Sequence, residues 1–381
     1  MICEQQKCTG CFACLNICPT DCISMAEDAT GHIYPQIDEN KCINCNACRQ
    51  ICPAINKAEV HMPTDVYAAW SLDETEHKSS TSGGIAAYLT RKIIEDGGIV
   101  YGCSSDCAKE VKHIRVDNPE DAKKLKGSKY VQSFINETYR LAKQDLDSGK
   151  KVMFIGTPCQ ISGLKAYLKK SYPLLTTVDL ICHGVPPQKL LFEHLNNSGV
   201  TNRKTISFRD AEGHYLSVSN DADNIIYRKH QYEDLYYLGF GTELLLRESC
   251  YNCDYAQTKR CSDITIGDFW GLGEEIPFKS EIKNGVSVIM INTPNGQKLF
   301  DNYKSGLFYE KRTLEEALKK NPNLRMPSAM NANRAEFLNQ YPQNGFEKAV
   351  KISIKKEISK YKLLQRLQRN KVINSIIKKL H

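Results

Sequence analysis

Two runs of cysteine carry the densest chemistry in this 381-residue sequence. Cys8-x2-Cys11-x2-Cys14-x3-Cys18-Pro19 recurs 34 residues later as Cys42-x2-Cys45-x2-Cys48-x3-Cys52-Pro53. Three closely spaced thiolates can wrap three corners of an iron cube, and a fourth beyond a short helical turn reaches the other cube of a pair. Zinc takes four ligands per site and does not call for the x2-x2-x3-Pro pattern twice. A disulfide framework is disfavoured as well. The count of 17 cysteines is odd, and Met1-Ile2-Cys3-Glu4 has neither the basic start nor the apolar run of a secretory signal. Cys3 and Cys22 fall outside the repeat and read as spare thiols. The repeat predicts a module that moves single electrons and has no substrate of its own.

A looser set of cysteines lies in the body of the chain. Cys159 and Cys182 each follow an apolar run, Cys250-x2-Cys253 comes later, and Cys261 after that. Four thiolates converging from separate loops make a third cluster site, and buried free thiols are the other reading. Cys103 and Cys107 read as core thiols. Three glycine-bearing loops accompany them. Ser79-Ser80-Thr81-Ser82-Gly83-Gly84 stands directly before a helical pattern, where free backbone N–H groups and the helix dipole suit a pyrophosphate. Lys126-Gly127-Ser128-Lys129-Tyr130 and Gly156-Thr157 offer further donors, although each loop alone is weak and a Gly-Gly before a helix is more often just a turn. The sequence contains no G-x-G-x-x-G or Walker loop, which disfavours ordinary NAD(P) and nucleoside-triphosphate sites.

The elements that must position these residues read as mixed α/β from about Val66 onward. Gly84–Glu95 is predicted as a helix, with Ala87, Leu89, Ile93 and Ile94 apolar, followed by a strand over Gly98–Tyr101. Lys151–Ile155 predicts a strand running into Gly156-Thr157-Pro158-Cys159-Gln160, then a helix over Ile161–Lys169. Thr176–Ile181 predicts another strand, ending at Cys182-His183-Gly184-Val185-Pro186-Pro187, and Gln188–Leu195 a helix. Strands followed by a glycine turn and a helix favour a mostly parallel sheet with its active edge at those turns.

The cysteine repeat resembles bacterial two-cluster ferredoxins. That resemblance implies Cys8, Cys11, Cys14 and Cys52 on one [4Fe–4S] cluster, and Cys42, Cys45, Cys48 and Cys18 on the other. A second resemblance rests on five motifs in order: Thr81-Ser82-Gly83-Gly84; Lys126-Gly127-Ser128-x-Tyr130-Val131-Gln132; Phe154-Ile155-Gly156-Thr157-Pro158-Cys159-Gln160; Ile181-Cys182-His183-Gly184-Val185-Pro186; and Ser262-Asp263-Ile264-Thr265-Ile266-Gly267-Asp268-Phe269-Trp270-Gly271. Across most of residues 65–300 the chain resembles the beta subunit of coenzyme F-420 hydrogenase/dehydrogenase, a family of flavoproteins with FAD and a [4Fe–4S] cluster. The resemblance implies FAD contacts at Thr81, Ser82, Gly83, Gly84, Lys126, Gly127, Ser128, Tyr130, Gly156, Thr157 and Asp268. It implies a third cluster on Cys159, Cys182, Cys250 and Cys253, with Cys261 as the reserve ligand. It does not fix a substrate or single out a catalytic side chain.

The expected fold class is therefore an α/β (α+β) flavoprotein body with a small N-terminal ferredoxin-like 2[4Fe–4S] domain and a helical, basic C-terminal tail. The expected divisions are 1–57 for the ferredoxin, 65–150 and 151–310 for the two parts of the body, and 311–381 for the tail. Ala54–Thr64 and Asn321–Asn333 are the softest boundaries. Residues 311–381 hold 17 Lys/Arg against 5 Asp/Glu, so the net charge of +7 belongs to the C-terminal end. Ile354, Ile358, Tyr361, Leu364 and Leu367 recur there at helical spacing. A docked terminal helix with a solvated face is one reading, and contact with an anionic membrane or acidic partner is the other. No nucleic-acid-binding module accompanies the charge. Without a signal or a membrane-length apolar run, the expected location is cytoplasmic, with the inner membrane face as a possible peripheral site. The predicted function is a ferredoxin-linked, FAD-dependent oxidoreductase acting on an unidentified organic substrate. Its partner would be ferredoxin or another low-potential donor or acceptor. The alternatives are an electron-transfer subunit without its own substrate and a flavin-free iron–sulfur sensor.

Overall fold

Each cysteine triplet closes onto a short helix entered through left-handed backbone. Gly10 and Phe12 (both φ +62°) lead into α1 (Ala13–Ile17). Between the triplets, β1 (Ile23–Glu27) and β2 (Ile33–Ile37) form an antiparallel pair with Ile23 opposite Ile37. Asn44 (φ +53°) and Asn46 (φ +58°) lead into α2 (Ala47–Gln50). Left-handed backbone costs about 1–2 kcal/mol for residues other than Gly, Asn and Asp. Phe12 adopts it and is 2% exposed, its ring 5.7 Å from that of Phe134. The computed structural model describes residues 2–369 other than Cys107, Ala211 and Lys283, with side chains through Leu363. The expectations for Cys107 and for the side chains of Leu364 and Leu367 lie outside the described residues.

The body is built on one large sheet. In chain order its first half runs β3 (Asp65–Ser71), α3 (Glu74–Lys78), α4 (Ile85–Glu95), β4 (Ile99–Cys103), β5 (His113–Val116), α5 (Pro119–Ala122), α6 (Thr138–Asp147), β6 (Val152–Gly156), α7 (Pro158–Leu168), β7 (Leu175–Leu180) and α8 (Gln188–Asn197). A small antiparallel sheet follows, β8 (Thr205–Ser207), β9 (Tyr215–Ser219) and β10 (Ile225–His230), then α9 (Leu235–Gly241). The chain returns to the large sheet with β11 (Ile264–Asp268), β12 (Ser287–Ile291), α10 (Pro294–Tyr303) and β13 (Leu307–Arg312). It ends in α11 (Leu314–Lys319), α12 (Arg334–Ser353) and α13 (Lys355–Arg369).

The sheet order is β13-β3-β12-β11-β7-β6-β4-β5. β4, β6, β7 and β11 pair in parallel, so their carboxyl ends open on a single edge. β3 is antiparallel to β12, which is antiparallel to β11, so β3 also ends at that edge. Strands of the 65–150 and 151–310 segments interleave, and β13 crosses from residue 310 to 311.

α7 begins three residues earlier than its apolar pattern suggests. Thr157 and Gln160 form a capping box around Pro158 at the first helical position, which starts the helix immediately after β6. Cys159 is thereby a first-turn helical residue rather than part of a free loop.

The ferredoxin module shares its core with the body. Cys11, Phe12, Ala13, Ile33 and Ile51 are buried in one cluster with Tyr101, Tyr139, Phe154, Ile161 and Leu164. Arg140 of α6 clamps the same side, donating to the carbonyls of Leu15, Asn16 and Cys18 and to Asp21 Oδ1. At the C-terminal end, Ile354 is fully buried, Ile358 and Tyr361 pack on the core, and the Tyr361 ring stacks on Tyr232 at 4.7 Å. Among the described residues no helix is long and apolar enough to cross a membrane.

Candidate functional site

Cys8, Cys11, Cys14 and Cys52 line one cavity, together with Thr9 and Gly10. Cys3 lines it too, and its thiol hydrogen-bonds to both Cys8 and Cys52. It is a neighbour of the set rather than a remote spare thiol. The hydrogen bond from Cys3 brings Cys8 down to about 6 against burial, with help from the Arg247 charge. Cys52 comes down to about 7, again first through Cys3. Burial pushes Cys11 up to about 12.

The second set faces outward. Cys18, Cys42 and Cys48 lie in an apolar cluster with Cys22, whose sulfur is 3.3 Å from Cys18 Sγ, and Cys14 and Cys52 of the first set border the same cluster. Cys45 is exposed, and Ile43 beside it is 63% exposed. The two repeats thus share a backbone but not an environment. Phe12 is buried against the body where Asn46 is solvated.

Cys159, Cys182, Cys250 and Cys253 line a second cavity at the carboxyl edge of the large sheet. Cys159 comes from the first turn of α7 and Cys182 from the end of β7. A short 3-10 turn over Glu248–Cys250 supplies Cys250, and Cys253 follows three residues on. Burial pushes Cys159 up to about 12 and Cys250 to about 11, and raises Cys182 and Cys253 as well; neighbouring thiols add repulsion at the first three sites and Asp254 at Cys253. Crowded thiols of this kind ionise together only beside compensating positive charge, which an iron core supplies. The donor set fits a four-iron cluster in its chemistry. Among the described residues, no three His, Cys, Asp or Glu side chains stand close enough to hold a single metal ion. The corners of a cube lie further apart than the ligands of one ion.

Cys261 does not line this cavity. It is buried beneath it, with Sγ 3.3 Å from the Pro158 carbonyl oxygen. Cys103 is half-buried against the core. Thr157 belongs with the cysteines, its hydroxyl 3.1 Å from Cys159 Sγ, and Gly156 faces Gln160 and His113.

The other glycine loops meet further along the same edge. Ser128 Oγ lies 3.5 Å from Thr81 Oγ1, and Lys126 Nζ donates to Ser79 Oγ at 2.9 Å. Gly83 is required by close approach, since a Cβ there would fall 2.2 Å from the Ala69 carbonyl oxygen. α4 starts at Gly84 with no side-chain cap, and the buried Ser80 hydroxyl has no hydrogen-bond partner. An uncapped helix start, an orphaned hydroxyl and a lysine together fit a phosphate. Asp268 ends β11 in an ion pair with Arg209 at 2.7 Å, and Tyr130 stacks on Phe240 at 4.9 Å.

Sequence reasoning missed the arginines around the second cavity. Arg247 and Arg260 both line it. Arg260 pairs with Asp179 at 3.1 Å, both fully buried. Arg247 donates to the carbonyl oxygens of Cys8 and Ile33, each at 2.7 Å, and packs over the Tyr34 ring. Thr9 lines the Cys8 cavity and the Cys159 cavity alike, so the two share a wall there. The asymmetry of the repeats, Gly10 and Phe12 against Asn44 and Asn46, was the signal for which half meets the body.

Residues 149–317 match the C-terminal region of the coenzyme F420 hydrogenase/dehydrogenase beta subunit. Residues 7–56 are a 4Fe-4S dicluster domain. The coenzyme F420-dependent sulfite reductase of Methanocaldococcus jannaschii is 26% identical over 200 residues, which cover 51% of this chain and 30% of that protein. The matched region is thus less than a third of the relative's length. A solved structure, the F420-reducing [NiFe] hydrogenase complex from Methanosarcina barkeri, aligns with 18% identity and a TM-score of 0.45. That alignment covers 81% of this chain and 94% of the other. The two family segments enclose the cysteine repeat, Cys159, Cys182, Cys250, Cys253 and Asp268, while the loops at 79–84 and 126–130 lie between them.

Proposed function

We propose that this chain is an iron–sulfur flavoprotein oxidoreductase that relays electrons between ferredoxin-type clusters and FAD, reducing or oxidising an organic substrate. The observation that carries the reading is the common wall at Thr9, which puts the Cys8 set against the Cys159 set. Held by these thiolates, four-iron clusters supply single-electron transfer, and FAD at the glycine loops supplies the exchange between one-electron and two-electron chemistry.

The chain's own residues give this relay an order. Cys45 and Ile43 present the outer set to a redox partner. Phe12, Gly10 and Arg247 hold the inner set on the body. α7 carries Cys159 at its start and Gly163 one turn later, where a Cβ would come within 3.1 Å of Cys11. Ser80, Lys126 and the start of α4 would receive the pyrophosphate. A ferredoxin, or a donor of similarly low potential, fits the outer face. The F420 dependence of the sulfite reductase makes a deazaflavin the first two-electron partner to test.

An electron-transfer module with no substrate of its own is the second reading. The sulfite reductase favours it, because there the matched region is one part of a much longer redox protein.

The test is anaerobic preparation followed by metal, sulfide and flavin analysis. Three clusters correspond to about 12 iron per chain, with one FAD. Reduced ferredoxin is expected to bleach the flavin rapidly and NADH or NADPH not to. Iron near ~8 per chain would remove the third cluster. Absence of flavin would remove the oxidoreductase reading and leave the electron-transfer module.

A further inference from the structure

Four arginines are buried among the described residues: Arg247, Arg260, Arg312 and Arg334. Three have a carboxylate partner. Arg260 pairs with Asp179, Arg312 with Glu316 and Arg334 with Glu248. Arg247, 1% exposed, has none among the described residues. Its Nε donates to the Cys8 carbonyl, Nη2 to the Ile33 carbonyl and Nη1 to Gln132 Oε1, all neutral acceptors, and its face lies on the Tyr34 ring. Such bonds satisfy the donors and leave the charge. A buried guanidinium without an anion is costly, and a protein that keeps one has a negative group beside it in its working state.

The side chain's surroundings say where that negative group belongs. On one side Arg247 grips the carbonyl of Cys8, the first ligand of the inner ferredoxin set. On the other it lines the cavity of Cys159, Cys182, Cys250 and Cys253, and its own carbonyl accepts the N–H of Cys250. A four-iron cluster held by four thiolates is a net anion, and it becomes more negative on reduction. A fixed cation nearby therefore favours the reduced form, since charge and hydrogen bonding around a cluster set its potential. At the outer set Arg140 donates to the Cys18 carbonyl, but this arginine is partly exposed and its charge is answered by Asp21 at 2.6 Å.

We propose that Arg247 is a positioning residue shared by two cluster sites. Its charge raises the reduction potentials at the Cys8 set and at the Cys159–Cys182–Cys250–Cys253 set, and leaves that of the outer Cys18, Cys42, Cys45 and Cys48 set unmoved. An electron arriving at the exposed end then runs inward, towards the body. This rests on the three-cluster reading above. Gly10 keeps the arrangement possible, because a Cβ there would stand 3.1 Å from Arg247 Nη1.

The experiment is an anaerobic redox titration of the full chain followed by EPR, with iron analysis, on the wild type, Arg247→Gln and Arg247→Lys. At full iron, Arg247→Gln is expected to move two of the three signals to lower potential and leave the third in place. Arg247→Lys is expected to restore most of the shift, which a purely structural role would not do. Unmoved potentials in Arg247→Gln, or an equal shift of all three, would overturn the role of Arg247 while leaving the three clusters standing. Wild-type iron near ~8 per chain would instead sink the three-cluster reading, and the shared role with it. Should Arg247→Gln fail to hold iron, Arg247→Lys decides. Wild-type potentials there support a charge role, and lowered potentials overturn it.

Discussion

Replacing Gly10 by alanine tests whether the inner half of the ferredoxin repeat is built around the body rather than merely resting on it. Gly10 has φ +62°, and a Cβ would stand 2.6 Å from Gln132 Nε2 and 3.1 Å from Arg247 Nη1. The backbone conformation alone costs alanine about 1–2 kcal/mol. Forcing the Gln132 amide and a buried guanidinium aside adds about 1–3 kcal/mol, as overpacking does in cores. The total for Gly10→Ala is roughly 2–5 kcal/mol. The second repeat supplies the control. Asn44 occupies the equivalent position at φ +53°, but is exposed. Asn44→Ala therefore meets only the backbone cost, about 1 kcal/mol once the asparagine's own share is removed. The assay is anaerobic urea unfolding of both variants, followed by cluster absorbance, with the midpoints compared at matched slopes. The reasoning fails if the two substitutions cost the same to within about 0.5 kcal/mol.

Cys182 and Cys261 separate cleanly in the structure, one lining the four-cysteine cavity and one hydrogen-bonded beneath it. Cys182→Ala is expected to lose about four iron per chain and one EPR signal, and Cys261→Ala to keep both; the reverse outcome would exchange their roles. His194 is held in α8 between Asp234 Oδ2 at 2.9 Å and Glu347 Oε1 at 3.1 Å. Burial pulls its pKa down, but the two carboxylates outweigh this and lift it from 6.5 to about 9. A histidine raised by folding stabilises fully below pH 6.5 and loses that contribution as pH rises through about 9. The wild type is therefore expected to lose on the order of 3 kcal/mol across that window, and His194→Gln to flatten the slope and be less stable at low pH. Urea midpoints measured from pH 6 to about 9.5 check this, and a flat wild-type profile would refute it.

The chemistry nearest the chain was legible before any fold was known. The cysteines of each x2-x2-x3-Pro run lie within one loop and one turn of each other, so local geometry alone groups each triplet. The same holds for strands that run into glycine turns and helices, where apolar period and turn residues act over about ten positions. The predicted helices over Gly84–Glu95 and Gln188–Leu195 accordingly match α4 and α8 to within two residues. α7 starts earlier than its apolar period because the Thr157-x-x-Gln160 capping box, which the sequence carries, fixes the first turn ahead of Ile161.

What separates inner from outer was decided elsewhere. Cys159, Cys182 and the Cys250–Cys253 pair stand far apart in sequence and share a cavity because the neighbouring parallel strands β6 and β7 end at one edge and the segment before Cys250 bonds back to the loop after Cys182, through the Arg247 N–H to the Val185 carbonyl. Cys261, at a spacing no less suggestive, faces the Pro158 carbonyl instead. Arg247 has no sequence mark at all. Whether an arginine is paired depends on which groups the packing brings to its head, and here those come from Cys8, Ile33 and Gln132. The sequence by itself thus grouped each cysteine triplet of the repeat, because the members of a triplet are neighbours along the chain. Which half of the repeat meets the body, and which buried charge lies between the two cavities, only tertiary packing decided, because burial and electrostatic pairing belong to contacts that no local spacing encodes.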